Sequence, residues 1–302
     1  MDNTSQKPQL TSLLSNATLD RLNRLRILPV RKLTNLNRGE HYAGKEGTST
    51  EFADYRDYTP GDDMRFVDWN AFSRLHRPYL KLYHREEQRH VVMLVDASTS
   101  MRFEDKLDRA KQIAAAMGVM ALQNNERVSV YVSRKLQKGM PQRMPPSSGR
   151  ANLKKLFTFL EGIEGGGNEP LEHGIEQMLQ YHSGKGVCVV LSDFLTFGDM
   201  KRAFNLLFST GLELLGVQLL GPSELNPEIT GDLRFVDSET QQTLDVSSAA
   251  DLLAIYHEYR AAYEAEIAAL CQKRAGRFVS VSAQDSVESV VFDWMRRKGW
   301  IA

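Results

Sequence analysis

His90-Val91-Val92-Met93-Leu94-Val95-Asp96-Ala97-Ser98-Thr99-Ser100-Met101 decides how the rest of this chain is read. An aliphatic run stops abruptly at a carboxylate, followed by two serine hydroxyls spaced two apart. Such an unbroken run predicts a strand buried on both faces, the state of a central strand in a parallel sheet. Asp and Ser at its carboxyl end put oxygen donors where open α/β sheets bind their ligands. Downstream, Leu107, Ala110, Ala114, Met117 and Ala121 recur at helical spacing. The unit is therefore strand, polar loop, helix, with the helix over residues 104–122.

The alternation continues to the end of the chain. Val128, Val130 and Val132 predict a half-buried strand, with residues 136–143 as its antiparallel edge neighbour, stopped by Pro145-Pro146. A helix over residues 152–160 leads to the loop Gly165-Gly166-Gly167, and Pro170 opens a second helix over residues 171–181. Residues 187–191 form another fully apolar run, and it too ends in a hydroxyl and a carboxylate, Ser192-Asp193. A helix (200–208), a strand (213–220) and a hairpin (233–236 with 243–246) follow. Ser248 and Asp251 resemble a capping box before a long helix bearing Leu252, Ile255, Tyr259, Tyr263, Ile267 and Leu270, which stops at Gly276. A strand (278–281) and a helix (287–297) close the chain. Repeated strand and helix imply a Rossmann-type α/β fold: a mostly parallel sheet with helices on both faces.

Upstream, Leu19, Leu22, Leu25 and Leu28 predict a short amphipathic helix capped by Thr18 or Asn16, and residues 32–49 read as irregular. Residues 51–89 are dense in charges and aromatics around the turn Pro60-Gly61-Asp62-Asp63, with a strand at Leu80, Leu82 and Tyr83. Two domains are expected, residues 1–89 and residues 90–302.

Composition removes several function classes. Lys+Arg and Asp+Glu both number 38, so no global field favours nucleic acid or anionic membrane. Cys188 and Cys271 lack metal-ligand spacing and read as buried free thiols in a reducing compartment. Residues 1–14 carry no secretory pattern, and no stretch approaches the roughly 18 apolar residues of a spanning helix. A cytoplasmic protein with no transmembrane segment is expected. Oligomeric state leaves no mark in the sequence.

Two patterns carry a resemblance to known families. Asp96-x-Ser98-x-Ser100 resembles the metal-ion-dependent adhesion site (MIDAS) of von Willebrand factor A domains. The block from Glu51 to Trp69, with Arg56, Asp62, Asp63, Arg65 and Asp68 inside it, resembles the signature of the domain-of-unknown-function 58 (DUF58) family, where it precedes an A-like domain. The resemblance implies a von Willebrand factor A-like fold plus a smaller N-terminal family-specific segment. It also implies a bacterial protein-interaction role and a partner of the MoxR class of AAA+ ATPases.

Asp96, Ser98 and Ser100 offer one carboxylate and two hydroxyls, and Asp193 faces them if the two apolar strands are neighbours. These hard oxygens suit Mg²⁺, Mn²⁺ or Ca²⁺. Two carboxylates against a divalent ion leave a site of about zero net charge, with an open position for a partner's carboxylate. In the A-domain pattern a middle-loop threonine completes the site. Here Asn168 stands there, and Glu169 beside it adds a carboxylate that would quench the ion's acidity. In the alternative, Ser98 and Ser100 cap the following helix while Asp96 and Asp193 bond loop backbone.

Enzymatic readings fit less well. A strand ending in Asp is how haloacid-dehalogenase-type phosphatases present their nucleophile, but the acid they need two residues later is Ser98 here. Ser98 lacks a Gly-x-Ser-x-Gly elbow, and no phosphate-binding loop is present. Asp62-Asp63 could be an acid/base pair, although carboxylates in a Pro-Gly turn usually bond their own backbone and nearby arginines. Arg56, Asp62, Asp63, Arg65, Asp68 and Trp69 are then a docking cluster. His76 and His84 have no metal spacing, and the run Arg74, Arg77, Lys81, Arg85 is countered by Glu86-Glu87. The expectation is a non-enzymatic adaptor with a metal site. A metal-independent adaptor using the N-terminal segment comes second, and a metal-dependent phosphoryl hydrolase last.

Overall fold

Every residue of His90–Asp96 is buried, as a strand enclosed on both faces must be. The structure, a computed structural model, describes residues 9–28, 52–83, 89–134, 141–196, 198–228, 233–236, 243–246 and 249–302. In chain order its elements are α1 (Asn16–Leu22), β1 (Phe52–Asp57), α2 (Trp69–Leu75), β2 (Tyr79–Tyr83), β3 (His90–Asp96) and α3 (Lys106–Gln123). Then come β4 (Arg127–Ser133), β5 (Arg143–Ser147), α4 (Leu153–Glu161), α5 (Leu171–Tyr181), β6 (Gly186–Ser192) and α6 (Met200–Ser209). The last are β7 (Leu212–Leu220), α7 (Pro222–Leu225), β8 (Leu233–Val236), β9 (Thr243–Val246), α8 (Ala249–Gln272), β10 (Arg277–Ser282) and a π-wound helix, Ser289–Met295.

Two compact units emerge, Met1–Leu33 with Arg89–Ala302, and Thr34–Gln88. In the larger, six strands run in the order β10-β7-β6-β3-β4-β5, all parallel except β5. Side chains alternate across β3, so Val91, Met93 and Val95 join one apolar cluster and Val92 and Leu94 the other. α3 and α4 cover the first face, α5, α6 and the distal half of α8 the second. This is the doubly wound arrangement that the alternating pattern predicts. The smaller unit is built on the antiparallel pair β1–β2, and β8–β9 forms the expected hairpin.

Five local expectations change. α1 ends at Leu22 rather than Leu28 and is capped by the Ser15 hydroxyl, because the chain beyond it pairs with the carboxyl terminus through Ile27 and Ile301. α1 also belongs with the larger unit, where Leu14, Leu22 and Ile27 are buried. Pro145-Pro146 lie inside β5 instead of stopping it: β5 is an edge strand with an irregular register, where a missing N–H is tolerated. β4 is buried at six of its seven positions, not half-buried. On α8, Tyr263 and Ile267 pack as expected, but Ile255 and Tyr259 are exposed. The expected strand over residues 136–140, the irregular stretch 32–49, His84 to Glu87 and the Ser248 cap lie outside the described residues. Cys188 and Cys271 are buried free thiols, as expected.

Candidate cation site

β3 and β6 are parallel neighbours with Val95 opposite Leu191, so Asp96 and Ser192-Asp193 leave the sheet side by side. The Ser192 hydroxyl donates to Asp96 Oδ2 (2.6 Å), and the Ser98 N–H donates to Asp96 Oδ1 (2.9 Å). The Ser98 and Ser100 hydroxyls share a 3.0 Å hydrogen bond. Neither serine caps a helix by its side chain: the 3-10 turn Ser100–Asp105 has Thr99 at its N-cap and α3 has Asp105, and neither makes a side-chain cap bond.

The middle loop is fastened to the same edge. Thr99 N–H donates to the Gly167 carbonyl (2.8 Å), and Gly166 N–H to the Ala97 carbonyl (2.7 Å). Gly166 and Gly167 take φ of +144° and +97°, which a side chain would oppose. Asn168 and Glu169 are thereby brought to a cleft of about 20 Å³ that Asp96, Ser98, Leu195 and Thr196 also line. That is room for one water-sized occupant.

The charges are unequally served. Burial first, and then the nearby Asp193 carboxylate, push the Asp96 carboxyl up to about 6. Asp193 is fully engaged: Leu195 N–H donates to Oδ1 (3.0 Å) and the Lys106 ammonium to Oδ2 (2.8 Å). Lys106 is wholly buried and donates also to Glu224 Oε1 at 2.6 Å. Burial alone would lower the Lys106 ammonium, but Asp193 and Glu224 hold it above its ordinary value.

Of the five expected ligands, Asp96, Ser98 and Asn168 line the cleft, Ser100 reaches it through the Ser98 hydroxyl, and Asp193 is spoken for. Glu169 lines it too, with its Oε1 3.1 Å from His173 Nδ1. Among the described residues no three His, Cys, Asp or Glu side chains gather as a metal cluster, so an ion here depends on hydroxyl and amide oxygens as well. The donor set still fits a hard divalent ion. All of it is oxygen, the cleft has the right size, and no ammonium or guanidinium bonds Asp96 among the described residues. Sequence reasoning missed Lys106 and Glu224. Lys106 had a visible signal, since it stands four residues before Ala110, in phase with the apolar face of α3.

In the smaller unit the acidic residues are committed locally. Asp62 accepts from Thr59 N–H (2.8 Å), the Thr59 hydroxyl (2.7 Å) and Arg56 (2.7 Å). Asp63 is clasped by the Arg65 guanidinium, the shorter contact at 2.6 Å. Asp68 caps α2 through Asn70 and Ala71 N–H and accepts from the Tyr55 hydroxyl (2.9 Å). Trp69 opens α2 with 56% of its surface exposed.

The sequence has relatives. Uncharacterized proteins of Mycobacterium tuberculosis and Mycobacterium bovis are each 23% identical over 290 residues, spanning 93% of this chain and 90% of theirs. Among solved structures, conserved hypothetical protein BatB from Bacteroides thetaiotaomicron is similar (14% identity, 70% of this chain and 98% of that one, TM-score 0.42). A von Willebrand factor type A protein from Catenulispora acidiphila is also similar (13% identity, 47% and 35%, TM-score 0.34). The profile of the family described as protein of unknown function DUF58 matches residues 54–269. With most of its length inside that match, the chain belongs to the DUF58 family.

Proposed function

We propose that this chain is a non-enzymatic interaction protein that holds Mg²⁺ or Mn²⁺, with Ca²⁺ as the remaining candidate, at the carboxyl edge of β3. In this reading it serves as a cytoplasmic adaptor for a MoxR-type AAA+ ATPase, the partner class that the family resemblance suggests. One observation carries the cation reading: Asp96 is buried, is bonded by no ammonium or guanidinium among the described residues, and opens on a cleft lined by further oxygens. Asp96 would hold the ion with Ser98, Ser100 and Asn168, and Glu169 would trim its charge. When bound, the ion supplies an open position for a carboxylate of the partner.

Melting of the full chain tests the site. Mg²⁺ or Mn²⁺ at millimolar level should raise the melting temperature by binding the folded form preferentially, and Asp96→Ala should abolish the rise. No rise in the unmodified chain rejects the site. Capture of a purified MoxR-class ATPase should be lost with chelator and with Asp96→Ala, and capture insensitive to both rejects the metal bridge.

A second reading has its own observation. Met64, Phe66 and Trp69 are 58%, 49% and 56% exposed, an apolar presentation suited to a metal-independent adaptor surface on the smaller unit.

A further inference from the structure

Lys106 is the first residue of α3 and has no exposed surface. A buried ammonium is costly unless paired, and the amino end of a helix is an unfavourable place for a cation. The two residues before it, Glu104 and Asp105, take left-handed backbones (φ +49° and +58°), a conformation that side chains oppose. Three unfavourable features therefore converge on one side chain. What they deliver is a positive charge against Asp193 Oδ2, at 2.8 Å.

The far side of the ammonium is anchored as well. Glu224 Oε1 accepts from it, while Glu224 Oε2 accepts from Gly221 N–H (2.7 Å). Ser223 N–H donates to Glu104 Oε2 (3.0 Å), and the Tyr256 hydroxyl to the Glu224 carbonyl (2.6 Å). Segments more than a hundred residues apart in sequence thus hold Lys106 in place.

We propose that Lys106 sets the affinity of the cation cleft, because its ammonium gives Asp193 the positive charge that a divalent ion would otherwise supply. The inference rests on the cation-site reading above. With Asp193 engaged, the ion has one strong buried carboxylate, Asp96, and otherwise neutral oxygens and the rim carboxylate Glu169. A fixed positive charge nearby also repels it. The result is a weakly held, exchangeable ion that draws more of its coordination from a partner's carboxylate.

The test is Mn²⁺ binding by calorimetry, with melting in Mn²⁺ and in chelator, on the full chain. Lys106→Met keeps the apolar stem and removes the charge, leaving Asp193 and Glu224 without a counter-ion. It should melt below the unmodified chain in chelator, bind Mn²⁺ at least about ten-fold tighter, and gain more in melting temperature from Mn²⁺. Adding Asp193→Asn should return the affinity to that of the unmodified chain. If the unmodified chain binds Mn²⁺ and Lys106→Met binds no tighter, the proposal is overturned and the cation site stands. A double variant that keeps the tight binding also overturns it. Absence of binding in both chains removes the cation site and this inference together. Should Lys106→Met fail to fold even with Mn²⁺, Lys106→Gln, whose amide can still donate to Asp193, faces the same criteria.

Discussion

Each unit of the chain displays aspartates, and they are treated in opposite ways. In the smaller unit the donors are supplied from within. Thr59 N–H holds Asp62 below the usual carboxylate range, the Arg65 side chain does so for Asp63, and Ala71 N–H leads in bringing Asp68 to about 2. In the larger unit Asp193 has its ammonium, but Asp96 has two hydrogen bonds and a like charge beside it, and its carboxyl is pushed up to about 6. A count of carboxylates would rank the stretch around Asp62-Asp63 as the richer site. Weighing the donors that each carboxylate already has reverses the ranking: of these five aspartates, Asp96 is the buried one with no ammonium or guanidinium bonded to it among the described residues.

The largest effect should come from removing what supports that site. Phe194 follows Asp193, is fully buried at φ +60°, meets Phe204 and Phe278 edge-on, and its carbonyl accepts from the Tyr263 hydroxyl. Phe194→Ala should cost about 3–5 kcal/mol in urea denaturation, through lost burial and the cavity left behind. A loss under about 1 kcal/mol would mean that the Asp193 turn is held by its hydrogen bonds rather than its aromatic floor.

Next is the sign of the pH dependence, where the two aspartate classes should separate. Asp96 has a folded pKa above its unfolded one, so its contribution to stability is fully present below about pH 4 and is lost as pH rises through about 6. Asp96→Asn should therefore stabilise the metal-free chain by about 3 kcal/mol near pH 8 and hardly at all near pH 4. Divalent ion should narrow the difference at high pH. Asp68 runs the other way: its contribution is present above about pH 4 and is lost as pH falls through about 2. Asp68→Asn should destabilise at neutral pH, with the deficit shrinking in acid. Melting curves across pH read both, and equal slopes for the two variants would erase the contrast.

His90 gives a smaller acid effect in the larger unit. Burial first, then Arg127 and His182, lower its imidazole to about 4. A depressed histidine contributes stability above about pH 6.5 that is lost as pH falls toward 4. His90→Gln should flatten the acid limb of the melting profile between those values, and an unchanged limb would show that other groups control it.

The sequence is legible where local pattern and tertiary role coincide. The apolar runs of β3 and β6 announce buried parallel strands, and their tips carry Asp96 and Asp193. The glycine run places Asn168. Legibility fails where a distant partner decides. Lys106 begins a helix, where a lysine ordinarily reads as solvated, and its burial follows from Glu224, 118 positions later. α1 ends early because the carboxyl terminus competes for the backbone at Ile27. Pro145-Pro146 read as a stop because nothing local distinguishes an edge strand, which tolerates them, from a central one, which does not.

The smallest effect on stability should come from the smaller unit and decide the most about function. Trp69 is more than half exposed and touches Phe72 edge-on at 6.0 Å, so truncating it removes little buried area. Trp69→Ala should leave stability within about 0.5 kcal/mol of the unmodified chain. Its use lies in capture of a purified MoxR-class ATPase. If a cation at Asp96 bridges the partner, Trp69→Ala captures normally and remains chelator-sensitive, while Asp96→Ala does not capture. If the apolar face of the smaller unit is the contact, Trp69→Ala loses capture and Asp96→Ala keeps it, with chelator making no difference. Because Trp69→Ala hardly perturbs folding, a loss of capture cannot be assigned to unfolding. Asp62, Asp63 and Asp68 of the same unit already have their own hydrogen-bond donors, so such a loss would point to the ring itself.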